Sequence, residues 1–160
     1  MRRLLSLAGA AALALLMGTA SAEAQVMNFT ATLSGANEQP LIASGAGGTA
    51  TVQLNTATRV VTYRVDVYNL PSGATAAHFH VGGPGVAGPV VVNFTVVNGI
   101  SNDFTISGTA SASDLVPRGE QGIRSWDDFI QALTLSQVYV NVHSAVNGGG
   151  EVRGQVLPVP

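Results

Sequence analysis

Apolar and polar residues alternate along most of this chain. Met27, Phe29, Ala31 and Leu33 are separated by Asn28, Thr30 and Thr32, and Val52 and Leu54 repeat the pattern after Gly47-Gly48. The clearest run is Val61, Tyr63, Val65 and Val67, with Thr62, Arg64 and Asp66 between them. Val90, Val92, Phe94 and Val96 follow Pro89, and Phe104 and Ile106 follow Asn102-Asp103. A period of two sends successive side chains to opposite faces of a strand, so each run predicts one face in a core and the other in solvent. Gly, Pro and Asn between the runs supply the turns. Such a series predicts an all-β domain, an antiparallel β-sandwich or barrel, and the sandwich is the architecture expected here.

One segment breaks the period. Ser125 suits an N-cap, Asp128 follows three residues later, and Trp126, Phe129, Ile130 and Leu133 fall on one helical face. The spacing predicts a short helix from about Trp126 to Leu133 that closes one end of the domain. The alternation then resumes as a hairpin. Val138, Val140 and Val142 point one way, and Tyr139, Asn141 and His143 the other. Pairing Val142 with Val152 keeps the apolar rows together, which sets His143 opposite Glu151 and Asn141 opposite Arg153.

The first 24 residues read as a signal peptide, with residues 25–160 as the domain. Arg2-Arg3 leads into a Leu/Ala run, and Ala20-Ser21-Ala22 and Ala22-Glu23-Ala24 both fit a small-x-small cleavage site. The apolar run is short for a membrane span, so no span is expected after cleavage, and the product is expected to be secreted or periplasmic. Beyond residue 24 the chain has no Lys, and five Arg stand against eight acids, a formal net charge of −3. That balance argues against nucleic acid as a partner. There is no Cys, so neither a disulfide nor a Cys-linked lipid contributes. The partner is expected to be an extracellular protein or a small ligand.

The chain holds three His. His78 and His80 form a His-x-His pair, whose imidazoles share a face if the segment is extended, while Phe79 turns to the core. His143 on another strand offers a third nitrogen, and three imidazoles suit copper or zinc. Glu151 is a possible further ligand beside His143. Asn141 and Arg153 are expected as outer partners, with Arg153 orienting that carboxylate or attracting an anion. Protonation should release an ion as pH falls through about 6.5. The alternative is that the histidines are hydrogen-bonded polar residues without metal. No Ser-His-Asp spacing or Gly-x-Ser-x-Gly elbow suggests a hydrolase.

Three stretches resemble the CHRD family, a domain first described in chordin and widespread in bacterial secreted proteins. They are Ala31-Thr32-Leu33-Ser34-Gly35-Ala36-Asn37-Glu38-Gln39-Pro40, then Ala77-His78-Phe79-His80 with Gly88-Pro89-Val90-Val91, and finally Tyr139-Val140-Asn141-Val142-His143 with Gly150-Glu151-Val152-Arg153-Gly154-Gln155. At Asn147-Gly148-Gly149-Gly150 the chain departs from the family's usual Pro-Gly turn. The resemblance implies a sandwich similar to Cu,Zn superoxide dismutase and strengthens the expectation of a metal site at His78, His80 and His143. It does not imply dismutase activity, because three imidazoles cannot build a bridged two-metal site. The expected function is therefore a non-enzymatic extracytoplasmic binding or structural module that binds copper or zinc. A metal-dependent redox enzyme at the same site and a metal-free structural or adhesive module are the alternatives.

Overall fold

A computed structural model describes residues 25–97 and 102–160. The proposed signal peptide lies outside the described residues. In chain order the strands are β1 (Val26–Ser34), β2 (Gly47–Asn55), β3 (Val61–Tyr68), β4 (Ala74–Val81), β5 (Val90–Asn93), β6 (Phe104–Ala110), β7 (Val138–Ser144), β8 (Val152–Gln155) and β9 (Leu157–Pro158). The helix α1 spans Trp126–Thr134, between β6 and β7. All pairings are antiparallel, in one sheet ordered β5-β4-β7-β8-β1-β2-β3-β6, with β9 added to β1.

The sheet curls until its two ends nearly meet, giving the sandwich- or barrel-like all-β fold that the alternation predicts. Tyr63 of β3 stacks on Phe94 at 4.0 Å between ring centroids and meets Phe79 of β4 edge-on at 5.7 Å. Strands far apart in the sheet order thus share one interior. The chain after β6 covers the outer edge of β5. Leu115 bridges to Val92, Val116 N–H donates to the Val91 carbonyl at 2.8 Å, and Arg118 Nε donates to the Val90 carbonyl at 2.7 Å. An edge covered in this way offers no free ladder for another chain.

Helix α1 starts as its sequence predicts. Ser125 Oγ accepts from Asp128 N–H at 3.2 Å, and Asp128 Oδ2 accepts from Ser125 N–H at 2.9 Å, a complete capping box. Its buried stripe is Trp126, Phe129, Ala132 and Leu133. Phe129 packs on Phe79 at 5.9 Å, which seals one end of the interior. A fully buried side chain of this size contributes about 1.5–3 kcal/mol.

The final hairpin has the predicted register, with Val142 opposite Val152 and Asn141 opposite Arg153. On β7 the second, polar face is covered as well, and all seven residues are buried. Three connections fold over that face. Glu38, after β1, reaches Asn141; Gly88, before β5, reaches Tyr139; and Gly148, after β7, reaches His143. The predicted strand Val90–Val96 is also shorter. It ends at Asn93, although Phe94 N–H still donates to the Ala77 carbonyl at 2.9 Å.

Candidate functional site

The three histidines converge on the outer face of β4 and β7. Antiparallel pairing sets Ala76 opposite His143, His78 opposite Asn141 and His80 opposite Tyr139. His143 is therefore the diagonal neighbour of His78, within reach of its ring. One imidazole nitrogen from each of His78, His80 and His143 lies within 4.8 Å of the others. On the other side of β4, the pairing with β5 slips between Phe79 and His80, so that Phe79 meets Val92 and His80 meets Val90. Such a bulge re-aims neighbouring side chains, and it lies beside His80.

Backbone carbonyls fix the ring protons. His80 Nδ1 lies 2.8 Å from the Gly88 carbonyl, and His143 Nδ1 lies 3.0 Å from the Gly148 carbonyl. A carbonyl only accepts, so both Nδ1 atoms carry hydrogen and both Nε2 atoms keep a lone pair. His80 Nε2 is buried without a partner. His78 Nδ1, 3.0 Å from His143 Nε2, must then be the donor of that pair. Gly88 is required here, because a Cβ on it would stand 1.6 Å from the Val81 carbonyl oxygen.

Burial sets the charge of the cluster. His80 and His143 are each 8 % exposed. Burial, followed by the charges of His143 and His80, pushes the His78 pKa down to about 4. Burial likewise pushes His80 down to about 4 against the opposing Gly88 hydrogen bond, with the charges of His143, Arg153 and Arg118 adding to the fall. His143 is lowered by burial, partly offset by Gly148. All three rings are neutral near pH 7, the form that binds metal. Ring protonation, expected near 6.5, thus moves down towards about 4 for His78 and His80.

The acids near the site differ from expectation. Glu151 does not join the cluster, because its carboxylate accepts from Ser44 Oγ, from Ser144 Oγ at 2.7 Å and from Asn147 Nδ2 at 2.6 Å. Strand β8 begins only at Val152, so Glu151 escapes the alternation that would set it beside His143. Burial raises its pKa, but those three bonds outweigh burial and hold it below the ordinary value. The carboxylate that packs against Asn141 is Glu38, 5 % exposed, which accepts from Asn141 Nδ2 at 3.2 Å. With that single donor against its burial, Glu38 is raised to about 7. Gly150, at φ 139°, packs so closely that a Cβ would stand 2.7 Å from the Asn141 amide and 2.8 Å from Glu38 Oε1.

Arg153 does not orient Glu151. Its Nη2 donates to the carbonyls of Gly83 at 3.0 Å and Val86 at 2.9 Å. Its guanidinium carbon lies 3.5 Å above the Tyr139 ring, and that ring stacks on His80 at 4.9 Å. The roles of Glu38, Gly88 and Tyr139 were missed in the sequence reading. All three lie in the stretches that carry the family resemblance, which was the available signal.

Imidazole nitrogens with fixed tautomers, one of them buried and unpartnered, suit copper or zinc as ligands. No helix among the described residues is long and apolar enough to cross a membrane. No curated protein and no solved structure matches the chain. Comparison with protein families matches residues 29–156 to the CHRD domain. The chain belongs to the CHRD domain family.

Proposed function

We propose that the protein is an extracytoplasmic binding module whose His78, His80 and His143 take one copper or zinc ion. The observation that carries this reading is the orphaned His80 Nε2, buried beside two further imidazoles within 4.8 Å. An unpaired acceptor in that position costs stability unless something occupies it. Family membership supports an extracellular binding or structural role. His78, His80 and His143 would hold the ion, with Gly88 and Gly148 fixing two of the rings. The ion would supply a Lewis-acidic centre with room for an outside ligand, since three protein nitrogens do not fill its coordination.

The test is calorimetric titration of copper(II) and zinc(II) into the wild type and into His78→Ala, His80→Ala and His143→Ala. One equivalent should bind to the wild type. Each substitution should weaken binding by more than the about 10- to 100-fold typical of an outer partner. Equal, millimolar-weak binding by all four proteins would overturn the proposal. One observation favours a second reading, a metal-free structural module. The His78–His143 hydrogen bond at 3.0 Å already satisfies one nitrogen of each ring.

A further inference from the structure

A buried cation lies beyond the histidines. Arg153 is 2 % exposed, and its guanidinium is charged at any ordinary pH. Among the described residues the ion pairs are Arg59–Asp127 and Arg64–Asp66, both exposed, so Arg153 has no counter-ion in contact. Glu38 is within electrostatic reach, but its hydrogen bond goes to Asn141. Both hydrogen bonds from the guanidinium leave from Nη2. A buried cation held only by two carbonyls and a ring is a costly arrangement.

Arg153 lines a pocket of about 200 Å³ between the Ala36–Gln39 segment and Pro84-Gly85. Gln155 lines the same pocket. Its Nε2 donates to the carbonyls of Gly82, Ser136 and Val138 at 3.1, 2.8 and 2.9 Å. Those three acceptors fix which end of the amide is nitrogen. Gln155 Oε1 is left buried and without a donor. Arg153 and Gln155 thus share this wall, one a fixed cation and the other carrying a buried acceptor that lacks a donor.

We infer that this pocket binds a carboxylate bearing an N–H or O–H donor on its α-carbon, with Arg153 taking the carboxylate and Gln155 Oε1 accepting from the donor. A polypeptide C-terminus and a small α-amido or α-hydroxy acid share that chemistry. The guanidinium fork matches a carboxylate, and the pocket uses none of the three histidines. It stands or falls independently of metal binding.

The experiment follows the side-chain NMR signals of Arg153 and Gln155 in the full chain, with the Arg153 signal assigned by its loss in Arg153→Lys. N-acetylglycine should shift both signals saturably. Acetate, which lacks the donor, should bind about tenfold more weakly, the effect of one lost hydrogen bond. N-acetylglycinamide, which lacks the charge, should leave both signals unmoved. Ala36→Glu sets a carboxylate at the exposed mouth and should weaken N-acetylglycine binding by at least about tenfold, with the backbone spectrum elsewhere unchanged. A glycine-terminated peptide and its amidated twin separate the sources. Tighter binding of the free-acid peptide than of N-acetylglycine identifies a polypeptide terminus, and equal binding identifies a small acid. An unmoved Arg153 signal with N-acetylglycine, or an equal response to the amide, would overturn the inference.

Discussion

Strands β3 and β7 carry the same alternation and meet different fates. In β3, Val61, Tyr63, Val65 and Val67 are buried, while Thr62, Arg64 and Tyr68 are exposed. In β7 the inward valines are buried too, but so are Tyr139, Asn141 and His143. A period of two reports which side chains share a face. It does not report whether loops later cover the second face. Covering a polar face obliges its groups to find partners, and β7 meets that demand unevenly. Glu151 finds three donors, while Glu38 Oε1, Asn141 Oδ1 and His80 Nε2 find none. Of these three, His80 Nε2 lies at the proposed metal site.

The largest effects should fall on the inner faces, where the two strands agree. Val65→Asp and Val140→Asp each bury an unpaired charge in the common interior. Both should unfold the domain, read as loss of the cooperative urea transition. The outer faces should then separate the strands. Asn141→Ala leaves a buried Glu38 oxygen without its donor and should cost about 1–3 kcal/mol. Thr62→Ala, on the exposed face of β3, should stay within about 0.5 kcal/mol. Equal urea midpoints for these two variants would erase the distinction.

That distinction marks how far the sequence could be read. The Val142–Val152 register followed from keeping valines together, and the helix start followed from Ser125 and Asp128. Both depend on residues close in sequence or on one dominant apolar row. The three-histidine cluster was legible for the same reason, since strand parity places His78, His80 and His143 on one face. Glu38 was not legible as a partner of Asn141. It comes from a connection 103 residues away in sequence, and no periodicity reports where a loop lands. Arg153 was misassigned because its carbonyl partners, Gly83 and Val86, belong to another such connection.

The pH dependence of the metal-free domain sharpens the comparison through the groups packed beside β7. His78 and His80 bind protons more weakly folded, at about 4, than at the ordinary 6.5. Their contribution is present above about 6.5 and is lost as pH falls towards about 4. Glu38 has the opposite sign. Its pKa is raised from 4.5 to about 7, so its contribution is present below 4.5 and is lost as pH rises through about 7. The two oppose each other between about 4.5 and 6.5. Glu38→Gln removes one side of that contest. Its stability should rise more steeply with pH across this window than that of the wild type. Relative to wild type it should gain on passing from acid to mildly alkaline pH, with a slope difference no larger than about 1.4 kcal/mol per pH unit. Parallel urea-midpoint profiles for the two proteins would show that Glu38 is not shifted.

The smallest effect belongs to the polar face of β3. Arg64 donates to Asp66 through Nη2 at 2.6 Å and Nε at 2.9 Å, and Nη2 also reaches Thr105 Oγ1 at 3.1 Å. That geometry exceeds anything Arg153 offers, yet the Arg64 and Asp66 side chains are 57 % and 45 % exposed. Water screens the pair and competes for each donor, so Arg64→Ala should cost no more than about 0.2–1 kcal/mol. The loss should shrink further in high salt. Arg153→Lys keeps its charge, yet it gives up the two Nη2 hydrogen bonds to Gly83 and Val86 and the stack on Tyr139. It should cost more than Arg64→Ala, because the groups it loses are buried where water competes little for them. If the Arg64 variant were the more damaging of the two, hydrogen-bond geometry would outweigh burial in this sheet. The difference between the outer faces of β3 and β7 would then lie in their residues rather than in the loops that cover one of them.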